Sequence, residues 1–169
     1  QLLDLLNKTS FSMATNPDVR FILCGLLLEI QPNALTAVAT DAHRLAISSS
    51  VIEKKQISEI SCIVPRKAVL ELIRLLQDNN TAKISIGANQ ISINLNDLCF
   101  VSKLMDGKFP SGYKGVIPES AAIEILLEKQ NIRSALQRVS ILANEKFKGV
   151  RFEATNKHVV LSSENPEQE

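Results

Sequence analysis

The chain has almost no excess of either charge: 19 Lys and Arg stand against 18 Asp and Glu in 169 residues, a formal net charge of +1. No overall basic field announces a nucleic-acid partner, so any such role has to come from local placement of cations. Cysteine is scarce. Cys24, Cys62 and Cys99 lie far apart and form no Cys-x-x-Cys pair, which argues against a zinc cluster and a disulfide framework and fits a reducing cytoplasm. No apolar run approaches the roughly 18 to 20 residues needed to cross a bilayer, and Gln1-Leu2-Leu3-Asp4 lacks the basic flank of a signal peptide. The Gly-x-Ser-x-Gly nucleophile elbow does not occur. Histidine is limited to His43 and His158; a metal held by Asp41 and His43 would need a third ligand, and neither metal nor cofactor is expected.

What is present is a chain 45% hydrophobic, enough to bury a real core and more than one small domain needs. It begins at Gln1 inside a helical pattern and ends at Pro166-Glu167-Gln168-Glu169, as expected of a chain cut at both ends. Leu2, Leu3, Leu6, Ser10 and Met13 recur at helical spacing, widened by Leu5 and Phe11, and predict a helix over 2–14 that stops at Asn16-Pro17. The nearly continuous apolar run 20–30 reads as a covered strand with a bulge at Gly25. Strands follow at about 35–40 and 44–49, then a polar segment 53–58 and a strand over 60–64. Pro65 sits where a helix could begin, and residues 66–77 form it, with Val69, Ile73 and Leu76 on one face and Lys67 and Arg74 on another. Asp78-Asn79-Asn80 ends that helix. Ile84-Ser85-Ile86 and Ile91-Ser92-Ile93 alternate about a Gly87 to Gln90 turn, a hairpin joined by a third strand from Leu98 to Lys103. With two prolines and three glycines, 105–118 reads as an interdomain connection.

After Pro118 the pattern restarts: a strand at about 121–126, a helix at about 128–143, and strands at about 148–154 and 158–163. Gly25-Leu-Leu-Leu-Glu matches Gly149-Val-Arg-Phe-Glu at an offset of 124 residues, and Asp41 meets Asn165 at the same offset. A repeat of that length is a duplicated domain, not a solenoid. The expected division is 1–118 and 119–169, the second copy incomplete.

The segment with the densest chemistry is Thr40-Asp41-Ala42-His43-Arg44-Leu45-Ala46, which joins two apolar strands and sets a carboxylate, an imidazole and a guanidinium within four residues. A polar hairpin corner would carry the same residue types. If the chain ran extended here, Asp41 and His43 would share one side, and Ala42 and Arg44 the other. Three classes of function are compatible with these residues: a binding protein without chemistry, an enzyme using Asp41 and His43 as an acid/base pair or metal ligands, and a β-rich module that oligomerises through sheet edges.

This segment differs at Ala42 alone from Thr-Asp-Gly-His-Arg-Leu-Ala, a signature of the bacterial sliding clamp, the β subunit of the replicative DNA polymerase. Further similar fragments follow in order: Phe11-Ser12-Met13-Ala14, Asp18-Val19-Arg20, Val64-Pro65-Arg66-Lys67, Lys103-Leu104 through Phe109-Pro110, Asn144 through Arg151, and Asn165 through Glu169. The chain resembles that family's middle domain, without its first strand, followed by the start of the third. The resemblance implies an α+β DNA-clamp fold, each domain built of two helices packed on antiparallel sheets. It also implies a non-catalytic processivity subunit that closes as a homodimer ring around double-stranded DNA without reading sequence.

The same resemblance implies two kinds of site. DNA would be faced by Lys8, Arg66, Lys67, Arg74, Arg133 and Arg138 on helices and by Arg20 on a loop, beside which the family often carries aromatics and this chain has Phe21 and Ile22. A hydrophobic pocket for short peptides of the polymerase, the clamp loader and repair proteins would be formed by Leu23, Thr40, Ala42, His43, Arg44, Leu45, Pro110 and Val116. Ala42 replaces a glycine, so positive φ at the bend would cost of order 1 kcal/mol. The 110–116 loop is one residue longer than the common form, with Gly115 where a basic residue is frequent.

Overall fold

A computed structural model describes residues 1–16, 20–52, 59–77, 81–120, 123–141, 143, 149–155 and 157–163. The chain divides into two compact units, Gln1–Ile117 and Pro118–Glu169. The breaks expected at Pro17 and at 78–80, the polar segment 53–58, and Asn165 lie outside the described residues.

In the first unit, helix α1 (Leu2–Thr9) buries Leu5, Leu6 and Thr9. It is shorter than its periodicity predicts. The Thr9 hydroxyl donates to the Leu5 carbonyl at 2.7 Å, the chain tightens into a 3-10 turn over Ser10–Ser12, and Met13 then turns extended. That exit lets Met13 and Ala14 both enter the core, at 1% and 5% exposure, whereas continued helix would have fanned adjacent residues apart. The next apolar run is also not one strand: Phe21–Cys24 form a 3-10 helix and strand β1 begins at Gly25 (Gly25–Gln31). Gly25 makes no bulge. It pairs in register with Pro65, and a Cβ there would come within 2.5 Å of Ile63 and Met105 side-chain atoms, so the glycine serves a close approach.

Strands β2 (Ala34–Thr40), β3 (Leu45–Val51) and β4 (Ile60–Pro65) complete an antiparallel sheet in the order β3-β2-β1-β4. Helix α2 (Arg66–Leu76) starts directly after Pro65, whose φ of −59° is already suited to the turn. A second sheet is a meander of β5 (Lys83–Ile86), β6 (Gln90–Leu95) and β7 (Leu98–Lys103).

Alternation sends Leu26, Leu28, Ala37 and Val64 to one face of the large sheet. There they meet Leu5 and Leu6 of α1, Val69, Leu72 and Leu76 of α2, and Ile91, Ile93 and Leu95 of β6. The two helices therefore lie side by side over a shared core. The opposite face presents Leu27, Val38 and Ile63, cross-strand neighbours in register. It is closed by Leu23, Ala14, Phe109 and Tyr113. The segment read as an interdomain connection thus belongs to this unit: Phe109 and Tyr113 are 8% and 7% exposed and pack edge to face. A Tyr113 hydroxyl bond to Glu29 Oε2 at 2.8 Å fastens the strap.

In the second unit α3 spans Lys129–Ser140, ending before 143, and β8 (Arg151–Ala154) pairs with β9 (Val159–Ser162). Residues 123–126 carry no strand; a strand requires a ladder partner, and Leu126 is fully exposed. The 124-residue offset carries the pair Leu27↔Val38 of the first unit onto Arg151↔Ser162 of the second, so the duplicated hairpin keeps its register.

Candidate functional site

β2 and β3 pair down to Thr40↔Leu45, leaving Asp41–Arg44 to turn the chain. The turn is built by its own side chains. Thr40 Oγ1 donates to the Arg44 carbonyl at 2.7 Å and accepts from the Ala42 amide at 3.1 Å. Asp41 Oδ1 accepts from the His43 and Arg44 amides, each at 3.0 Å, and Asp41 Oδ2 from Arg44 Nε at 3.1 Å. Short Thr and Asp side chains that reach backbone amides two and three residues on are the usual reason these types close turns. Ala42 adopts φ +75°, so the bend keeps the left-handed backbone of a glycine turn while bearing a Cβ.

The corner is not the extended segment in which Asp41 and His43 share a side. Burial acts to raise the Asp41 pKa, but the Arg44 and His43 amides and the Arg44 guanidinium outweigh it and hold the carboxyl below its ordinary 3.8. A carboxylate fixed as an anion, with both oxygens engaged in the turn, is poorly suited to shuttle protons. Among the described residues, no three His, Cys, Asp or Glu side chains gather as a metal site.

Arg44 leans over the Phe11 ring, its guanidinium carbon 5.7 Å from the ring centroid. Phe11, read from the sequence as widening the apolar stripe of α1, is 58% exposed, because at about 3.6 residues per turn position 11 lies opposite the buried Leu5, Leu6 and Thr9. A local periodicity could not find this contact, since it joins Phe11 to a corner distant in the sequence.

Of the other residues expected at a peptide pocket, Leu23 is buried at 1% exposure and half-buried Leu45 packs on the same cluster. Leu23 therefore supports the corner from behind and offers little surface of its own. His43 is exposed. Pro110 and Val116 bracket the strap's 3-10 turn (Ser111–Val116), Val116 being 72% exposed. A cavity of about 590 Å³ under the strap is lined by Leu27, Ile63, Phe109, Pro110 and Tyr113 among others; of the eight residues expected at a peptide pocket, Pro110 alone lines it.

The cations are spread. Lys8 pairs with Asp4 at 2.7 Å, and Arg74 Nε bonds Glu71 at 3.2 Å, both within one helix. Lys67 is exposed and Arg66 half-buried at the start of α2; both line an apolar cavity of about 530 Å³ with Phe21, Cys24, Pro65 and Met105. Arg20, also exposed, precedes the Phe21–Cys24 turn. In the second unit, Arg133 and Arg138 are exposed on α3.

Residues 1–111 match the family model of the DNA polymerase III beta subunit, central domain, and residues 114–169 that of its C-terminal domain. Curated proteins called beta sliding clamp from Pseudomonas putida and Escherichia coli are each 42% identical over 98% of this chain, which covers 45% and 44% of their respective lengths. The chain thus spans under half of the relatives it matches. The crystal structure of the DNA polymerase III subunit beta from Pseudomonas aeruginosa superposes with a TM-score of 0.93 at 40% identity, over 99% of this chain and 46% of that one. A DNA polymerase sliding clamp from Bacillus subtilis does so at 0.88 and 28%, over 98% and 44%. The chain belongs to the DNA polymerase III beta subunit family of sliding clamps.

Proposed function

We propose that this chain is the middle domain, over 1–118, and the start of the third domain, over 119–169, of a cytoplasmic sliding clamp. In that reading it is a non-catalytic processivity subunit that closes as a homodimer ring around duplex DNA and tethers the polymerase, clamp loader and repair proteins through short peptides. The observation that supports it most is the clamp fold matched along 99% of the chain.

Holding DNA without fixing its position calls for cations that touch phosphates and for no base-reading constellation. Lys8, Arg20, Arg66, Lys67 and Arg74 suit this: they are scattered over α1, α2 and the adjoining loop, and two of them are already tempered by carboxylates on the same helix. Arg133 and Arg138 would do the same from α3. The Thr40–Leu45 corner, with Leu23 behind it and Pro110 and Val116 on the strap, would form one wall of the peptide groove. Ala42 and His43 supply its rim, Leu45 apolar area, and Arg44 donors to peptide oxygens.

Titrating a labelled peptide bearing a glutamine, a leucine and a terminal aromatic tests the groove. Leu45→Ala should weaken binding by more than His43→Ala, because a half-buried wall loses more apolar contact than an exposed rim. An unchanged affinity in Leu45→Ala would put the peptide site elsewhere.

A further inference from the structure

We propose that Phe11 is a positioning residue for Arg44, setting the guanidinium so that its two Nη groups face the acceptor oxygens of a docked peptide. The inference rests on the peptide-groove reading of the Thr40–Leu45 corner, and it adds a residue from a different element to that groove.

The guanidinium is planar and presents three edges and two faces. Asp41 Oδ2 takes the Nε edge at 3.1 Å, and the Phe11 ring lies against the group with its centroid 5.7 Å from the central carbon. Asp41 is itself immobilised, because its other oxygen accepts two backbone amides of the turn. The Nε edge is therefore bonded by Asp41 and a second side is bordered by the Phe11 ring. The Nη groups have no partner among the described residues, and the side chain is 58% exposed. An arginine left to solvent would sample many rotamers and lose them on binding; held on two sides, it meets a carbonyl or carboxylate already oriented.

Phe11 is suited to this task by its place just past the end of α1. At about 3.6 residues per turn position 11 falls opposite the buried Leu5, Leu6 and Thr9 face of α1, and the 3-10 turn of Ser10–Ser12 keeps it outside, 58% exposed. Phe11 joins neither core cluster among the described residues. Its neighbours Ser12 and Met13 are buried at 0% and 1%, which fixes the backbone that aims it. A cation over an aromatic face at an exposed site attracts modestly, enough to bias a side chain without locking it.

The test is a double-mutant cycle on the full chain with the same labelled peptide, using Phe11→Leu, Arg44→Gln and both together, with thermal unfolding checked for each. Phe11→Leu should weaken peptide binding about three- to fivefold, as loss of an exposed cation–π contact implies. Phe11→Trp should restore it, since a ring and not bulk is required. In the Arg44→Gln background, Phe11→Leu should change nothing further. If Phe11→Leu weakens binding equally with and without Arg44, Phe11 acts as simple surface or fold support and the proposal is overturned. If Arg44→Gln weakens binding while Phe11→Leu does not, the proposal fails and the groove reading stands. If Arg44→Gln has no effect, the groove reading itself fails.

Discussion

Ala42 concentrates the strain of the corner in one residue. Its φ of +75° places a Cβ where glycine is at ease, at a cost of about 1 kcal/mol. Because the turn is otherwise fully bonded by Thr40 and Asp41, Ala42→Gly should keep the geometry and raise stability by up to about 1 kcal/mol, less whatever the freer unfolded chain takes back. Urea unfolding measures this; a loss of stability would show that the alanine is not strained. Asp41 adds a pH dependence whose sign follows from its lowered pKa. The ionised form is favoured by folding, so the contribution is full above about 4 and is lost as pH falls through the folded value. Asp41→Asn should lower stability at neutral pH and flatten that acid limb, followed by unfolding at pH 3 to 7.

At the scale of elements, the strap from Met105 to Ile117 is the part where the sequence misled. Its prolines and glycines correctly excluded a central strand or helix, but they could not reveal that Phe109 and Tyr113 would turn inward to close the second face of the large sheet. Burial, helped by the Glu29 hydrogen bond and charge, pushes the Tyr113 hydroxyl to about 12. A raised folded pKa means stability intact below the unfolded value near 10 and lost as pH rises from there toward 12. Tyr113→Phe should cost about 1 to 2 kcal/mol at neutral pH through the lost bond to a carboxylate and should remove that alkaline limb. Equal slopes for both proteins between pH 10 and 12 would contradict the latch. Elsewhere the pattern was legible. The two-residue alternation gave β5 and β6, Pro65 marked the start of α2, and the 124-residue repeat anticipated a hairpin whose register recurs in β8 and β9. What escaped were the changes of period, at Ser10–Ser12 and Phe21–Cys24, where tertiary burial of Met13 and Leu23 overrides local preference. The corner's residues were also legible, but not its Phe11 partner, because side chains from distant segments meet only in the fold.

For the whole molecule, the clamp role proposed above requires positive charge on helix faces and the Arg20 loop to hold duplex DNA diffusely. In the proposed reading, the spread of Lys8 on α1, Arg20 on a loop and Lys67 and Arg74 on α2 would give weak binding indifferent to sequence. The most direct measurement is amide NMR of the chain titrated with several unrelated duplexes across a range of salt, repeated with Lys67→Ala/Arg74→Ala. The same weak shifts are expected on α1, α2 and the Arg20 loop for every duplex. Affinities should fall steeply with salt, and the double variant should weaken all duplexes alike, with a salt slope shallower by about 1.8, from roughly 0.9 per cation. A preference above tenfold for one sequence, or salt-insensitive shifts centred away from these residues, would contradict it.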